Sequence, residues 1–243
     1  MRGQAWRAIG ILRGNQPVTK PASRQTARVT HRQKGRPPRE EAGARRLERS
    51  QELMRAAAIA LSRRGVSGTS MEALSDDLGI PKSVLYRYFD SKDKLVRAIL
   101  DQILLRWTEL QKRPWQGLDA NLRDVLALAR SNPCEFLLLA RHSALDPDLR
   151  PYFDRLHTSI VGRTERLISA SGASLAKDAV MRQLCAQSVA GFLLEAVLWW
   201  IEHGRPDRDD DFLTWARQSL DTLYRRWMPD ADWRAQSVRD RLA

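Results

Sequence analysis

The chain has 243 residues, a formal net charge of +12 and two cysteines. Its length fits two modest domains, or one small domain attached to a larger one. The positive excess points to a polyanionic partner, nucleic acid or an anionic surface. Cys134 and Cys185 lie far apart in apolar stretches. That spacing argues against a disulfide framework or a cysteine-based metal site and fits free thiols in a reducing, cytoplasmic setting.

The charge is uneven. Residues 1–46 hold twelve Lys or Arg against only Glu40 and Glu41, and the remainder is nearly balanced. Residues 1–44 are rich in Arg, Gln, Gly, Pro, Thr and Ser without periodic apolar positions, so they read as a disordered basic arm. The run Ala8–Leu12 is too short for a signal peptide or a span. Within the arm, Lys34-Gly35-Arg36-Pro37-Pro38-Arg39 resembles a minor-groove hook, with Arg36 and Arg39 as its cations. The alternative is a solvated tail that attracts phosphate without specificity.

A helical pattern begins near residue 46. Leu53, Ala56, Ala57, Ala60 and Leu61 form one apolar face, and Gly65 closes it. Thr69 and Ser70 are alternative caps for a short second helix, with Glu72 at capping-box spacing from Thr69. Gly79 stops that helix, and Pro81 suits the first turn of a third that runs to about Phe89. Ser91 caps a longer fourth helix bearing Leu95, Ile99, Ile103 and Leu110 on one side. Five more helices are expected, at about 119–131, 134–145, 148–170, 175–203 and 209–228, between breakers such as Asn132-Pro133 and Gly204-Arg205-Pro206. No stretch alternates with period two, so the expected class is all-α. The segment Leu184–Ile201 is apolar enough to need a membrane check; Gln187, Ser188 and Glu195 favour burial within protein instead, and no membrane partner is expected.

The segment Thr69–Lys94 carries the function. Two short helices joined by a tight turn at Gly79-Ile80 form a helix-turn-helix, with Leu74, Leu78, Ile80 and Leu85 setting the angle between them. The first residues of the second helix then face base edges. Lys82 is the leading base-contact candidate, with Ser83 and Val84 behind it. Tyr86, Tyr88 and Lys92 can reach phosphates, Arg87 adds charge to the same cluster, and Thr69 and Ser70 stand at the start of the preceding helix. Tyr86 is assigned a shared role, ring packed and hydroxyl on phosphate, whereas Phe89 is assigned to the core. Asp76 and Asp77 should face away from the backbone.

These residues resemble the TetR family of bacterial repressors, most closely in the run Leu-Tyr-Arg-Tyr-Phe at 85–89 and its continuation through Ser91 and Lys92. The resemblance implies a three-helix DNA-binding head at about 45–92. It also implies a larger helical-bundle body at 93–243 that binds a small effector and dimerises through its last two long helices. Ser83 stands where many members have Gly, Val84 where Thr or Ser is usual, and Pro81 replaces a common Ser. The docking mode is therefore expected to persist while the base preference differs.

In the body, Trp107, Phe136, His142, Tyr152, Phe153, His157 and Trp199 are candidates for an apolar effector pocket. The competing assignment is an ordinary packed core. Leu184, Gly191, Leu194 and Leu198, with Phe212, Trp215, Leu220 and Leu223, are candidates for the dimer interface. The expected partners are double-stranded DNA, a second copy of the chain and a small apolar or aromatic effector. No cofactor, metal or catalytic residue is expected, because there is no Gly-rich phosphate loop, nucleophile elbow or metal-spaced cluster. His31, His142, His157 and His203 are scattered, and His142 with Asp146 is only a possible helix-surface pair. The expected function is a transcriptional regulator, a repressor released from a near-palindromic operator by its effector. The alternative is a DNA-binding structural protein of the same fold without an effector, and in either case the chain would act in the cytoplasm at the nucleoid.

Overall fold

The computed structural model describes residues 39–231, and every regular element in that range is helical. The head consists of α1 (Arg39–Arg64), α2 (Met71–Leu78) and α3 (Lys82–Tyr88). The body consists of α4 (Lys92–Lys112), α5 (Leu118–Ser131), α6 (Pro133–Leu137), α7 (Ser143–Leu145), α8 (Arg150–Ala170), α9 (Ala179–His203) and α10 (Asp209–Trp227). Helix α1 starts at Arg39, ahead of the boundary expected after residue 44. Its added turns carry the Glu41–Arg45 pair at i, i+4, which supports helix without any apolar residue to advertise it. Arg36 lies outside the described residues.

Local chemistry sets the head's breaks. Ser70, not Thr69, caps α2: its Oγ accepts from the Ala73 N–H at 3.1 Å. Gly79 sits at φ +62, and the Gly79 and Ile80 N–H groups donate to the Asp76 and Ser75 carbonyls at 3.2 and 3.1 Å. This is the doubly bonded helix end that a residue in the left-handed region permits. Ser91 caps α4 by accepting from the Lys94 N–H.

Helix α4 joins the two parts. Leu95, Val96, Ile99, Leu100, Ile103, Leu104 and Trp107 are buried along it, and a single apolar cluster runs from Leu53 in α1 through α4 to Leu220 in α10. A helix of this length spans about 30 Å, so one rigid element reaches from the Ser91 cap beside α3 to the middle of the body. Between α6 and α7, Leu138–His142 forms a π turn in which the Ser143 N–H donates to the Leu138 carbonyl. The buried Ser143 hydroxyl bonds back to the carbonyls of Leu138 and Leu139, so this polar group is satisfied inside the turn. At the other end, Arg130 of α5 donates to Asp209 at 2.8 Å and to the Gly204 carbonyl at 3.1 Å, while Trp200 Nε1 donates to the same carboxylate at 2.7 Å. This network ties α5 to the α9–α10 turn.

Among the described residues, α9 is the one helix long and apolar enough to cross a membrane by length and composition. Its inner face, including Cys185, Val189, Leu194, Val197 and Leu198, is buried in the body. Cys185 is a buried free thiol as expected, and Cys134 is free and half-buried.

Candidate nucleic-acid interface and effector pocket

Helix α3 is seven residues long and buries only Leu85. Leu85 packs with Leu74, both without exposed surface, and half-buried Leu78 and Ile80 complete the small core between the two helices. Pro81, Lys82, Ser83, Tyr86 and Arg87 are left exposed, Val84 and Tyr88 are half-buried, and Phe89 turns inward. Apolar residues therefore fix the helix at one edge, and a cationic, aromatic surface is presented at the other.

Cations on this surface are held by rings and carboxylates. Lys82 Nζ donates to Glu72 of α2 and lies 5.6 Å from the Tyr86 ring centroid. That hydrogen bond holds the Glu72 carboxyl below its ordinary range and raises the Lys82 ammonium. Both groups are exposed, so a phosphate or base edge can replace Glu72 at small cost. The guanidiniums of Arg87 and Arg46 stand 5.5 and 5.8 Å from the Tyr88 centroid. Arg46 also donates to the Arg87 carbonyl at 3.4 Å.

Arg46 is a candidate that sequence reasoning missed. It precedes the apolar face of α1, and only the early start of that helix brings it beside α3. The sequence signal was the Arg45-Arg46 pair followed by Arg49 at helical spacing.

Two expected contacts sit elsewhere. Thr69 is 2% exposed and its hydroxyl donates to the Gly65 carbonyl at 2.7 Å, so it braces the α1–α2 loop and cannot face DNA. Lys92 Nζ donates to the Val66 carbonyl at 2.9 Å, which engages it in the same loop. Ser70 is exposed, but its oxygen caps α2. Asp77 bonds Arg64 at 2.8 Å, turning the acid of α2 toward α1.

In the body, a partly open cavity of about 60 Å³ lies among α4, α5, α6, α8, α9 and α10. Of the seven expected pocket residues, Trp107 and Phe136 line it. The other five are placed elsewhere. Phe153 and His157 stack on each other along α8 at 5.5 Å, one turn apart, and Tyr152 is half-buried near Asp101 and Arg97. Half-buried His142 lies in the π turn, where desolvation pushes its pKa down against an opposing effect of the Ser62 backbone. Asp146 does not serve it; that carboxylate accepts from the Asp148 N–H. Trp199 faces outward at 53% exposure.

Sequence reasoning overlooked the cavity's polar lining. Arg163 of α8 donates through Nη1 to Gln111 Oε1 at 3.0 Å and lies 5.0 Å from the Trp115 ring. Burial, then repulsion from Arg166, disfavours its charge, while Asp124 favours it. Trp107 Nε1 donates to Ser159 Oγ at 2.6 Å, a second tie between α4 and α8 beside the cavity.

The eight expected interface residues divide into two groups. Leu194, Leu198, Phe212 and Leu220 are buried within the protomer's own core and cannot line an outer face. Leu184 and Trp215 are exposed at 55% and 48%, Gly191 is open, and Leu223 is half-buried. The outward stripe instead runs through Val180, Leu184, Gly191 and Trp199 of α9, with Phe192 against Trp215 at 5.4 Å. Counting apolar residues along an all-round apolar helix identifies such a helix but not which arc points inward.

Residues 53–99 match the model for bacterial regulatory proteins of the tetR family. Over that range the chain carries a DNA-binding head of the TetR type. The matched range runs from the second half of α1 through α2 and α3 to the start of α4. Among curated relatives, the nucleoid occlusion factor SlmA of Glaesserella parasuis serovar 5 is 29% identical over 93 residues, covering 36% of this chain and 46% of SlmA. The match thus spans about half the length of that relative. Among solved structures, AibR in complex with isovaleryl coenzyme A and operator DNA is 21% identical, covers 68% of this chain and 94% of AibR, and has a TM-score of 0.52. FadR of Bacillus subtilis in complex with stearoyl-CoA is 14% identical, covers 71% and 96%, and has a TM-score of 0.51. At these identities the likeness is one of fold, and it extends over head and body together.

Proposed function

We propose that this chain is a dimeric, DNA-binding transcriptional regulator that docks α3 in the major groove and is released from its operator by a small effector. The observation that carries the reading is the division of α3: one buried leucine anchors it, and Lys82, Ser83, Tyr86 and Arg87 stand together in solvent within the family-matched segment. Lys82 and Ser83 at the start of the helix read base edges, with the Val84 methyls set against a thymine methyl. Tyr86, Arg87, Tyr88 and Arg46 hold phosphates. The arm up to residue 38 adds non-specific phosphate attraction.

Dimerisation uses the outward stripe of α9 with Trp215 of α10, because contiguous apolar surface of this kind on a helical protein marks an interface. Two-fold symmetry then places two heads about one DNA turn apart and demands a near-palindromic operator.

AibR and FadR are in complex with isovaleryl coenzyme A and stearoyl-CoA, which supports an effector in the body of this chain as well. The cavity of about 60 Å³ is smaller than the roughly 300 Å³ or more of a ligand-filled pocket. An effector must therefore widen it, and the widened state is the one it stabilises. Helix α4 borders the cavity at Trp107 and Gln111 and caps itself at Ser91 beside α3, so the displacement changes the spacing of the heads. A coupling of about 1–3 kcal/mol lowers operator affinity roughly 5- to 150-fold.

The SlmA match favours a second reading, a nucleoid-associated DNA-binding protein of this fold with no small effector. Selection of bound genomic fragments, followed by footprinting and sedimentation, tests the first. The expected result is a near-palindrome close to the protein's own gene, protected by a dimer. Many dispersed sites with no release by small molecules would assign the second reading. Sequence-blind binding by a monomer would contradict both.

A further inference from the structure

Resting on the effector reading above, we infer that the body's ligand is an amphipathic anion, with its apolar part among Leu122, Phe136 and Leu194 and its anionic acceptor between Arg163 and Trp115. The cavity wall is mostly apolar, with Gln111, Asn121, Arg163, Thr164 and Tyr224 among its polar residues, and at Arg163 and Trp115 three observations coincide. First, the Trp115 indole N–H is buried with no hydrogen-bond partner. A buried unsatisfied donor is costly and usually marks a missing acceptor. Second, Arg163 is half-buried and appears in none of the ion pairs among the described residues; its contacts are the Gln111 side chain and carbonyl and the Trp115 ring. The carboxylate that acts on it, Asp124, is bonded to Arg113 at 3.2 Å.

Third, both donors stand at the same end. Trp115 lies in the α4–α5 connection and Arg163 on α8, with the Arg163 guanidinium over the Trp115 ring. A carboxylate or phosphate oxygen placed there accepts from the indole N–H and from guanidinium N–H groups that Gln111 does not use. It also neutralises a cation that burial and Arg166 disfavour. A purely apolar or aromatic effector, the sequence-based expectation, would leave the indole N–H and the guanidinium N–H groups not used by Gln111 unserved.

Calorimetric titration of the full chain with octanoate, 1-octanol and octanoyl-CoA tests this, with Arg163→Met and Trp115→Phe variants in parallel. The expected result is roughly tenfold or greater preference for octanoate or octanoyl-CoA over octanol, the scale of one charge-assisted hydrogen bond. Arg163→Met should abolish that preference without weakening octanol, and Trp115→Phe should reduce it severalfold while keeping the ring. The two anionic probes separate a free carboxylate from a carrier's phosphates, and Arg163-dependence of either supports the inference. Equal affinity for acid and alcohol, or anion binding indifferent to Arg163→Met in a folded protein, overturns it. If octanol alone releases operator DNA, the effector reading survives and the anionic head does not. If no probe binds a protein that still holds its operator, both ligand statements fall and the DNA reading stands.

Discussion

Helices α3 and α9 solve opposite problems. The first has seven residues, buries one, and leaves a cationic and aromatic surface in solvent; the second has 25, buries seven, and is apolar nearly all round. In the short helix each exposed side chain is free to contact a ligand, so residue identity translates directly into chemistry. In the long helix the same residue types serve the protomer core, the cavity wall and an outward stripe, and only the three-dimensional phase tells them apart. The function proposed for the head thus rests on surface residues over a small fixed core, and that proposed for the body on a few polar groups inside a large one.

The largest expected effect breaks the comparison at the head. A Lys82→Ala, Tyr86→Ala double variant should lose about 100-fold or more in specific operator affinity, since one base contact is worth about 1–3 kcal/mol and a phosphate contact goes with it. Circular dichroism and Tm should barely move, because both side chains are exposed.

In the body the converse should hold. Arg130→Met removes one partner of the mostly buried pair with Asp209 and strands the Trp200–Asp209 contact. It should cost roughly 3 kcal/mol in chemical denaturation. At temperatures where the variant is folded, its operator affinity should stay close to that of the parent.

Gly79 comes next in size. No neighbour crowds a Cβ there, but φ is +62. Gly79→Ala should therefore cost about 1–2 kcal/mol through backbone strain alone, read as a Tm loss. Gly79→Asn should recover part of it.

Arg46→Ala sharpens the head's boundary. If the early turns of α1 belong to the interface, affinity should fall by a similar factor for all DNA sequences, and the salt slope should flatten by about one. An unchanged slope would confine the interface to α3.

The smallest effect concerns His142. Burial holds its folded pKa below the unfolded value of about 6.5. In that window the unfolded state binds more protons, so stability falls as pH drops from about 6.5 toward the folded pKa and is retained above it. Tm should decline between pH 7.5 and 5.5, and His142→Gln should make the decline shallower.

The head was legible because its signals are local. Ser91 as a cap, Gly79 as a stop and the Leu74–Leu85 core follow from a few neighbouring residues and stand in the structure as the spacing requires. Where local signals compete, the sequence leaves the choice open: Thr69 and Ser70 are equally good caps on paper, and burial of Thr69 against the Gly65 carbonyl selects Ser70. The body's helices were legible to within a few residues, yet its sites were not. Nothing in the sequence brings Gln111, Trp115 and Arg163 together, since they meet only when α8 packs along α4. Leu194 and Leu198 look like interface residues until the phase of α9 turns them inward.

The proposed reader of DNA is the exposed edge of α3. The most direct test is fluorescence anisotropy with the operator fragment, across a salt series, for the intact chain and the Lys82→Ala, Tyr86→Ala variant. Tight, sequence-selective binding by the intact chain that collapses in the variant to weak, sequence-blind and salt-dependent binding is the predicted result. Selective binding that survives both substitutions would contradict it and move the reader to another surface.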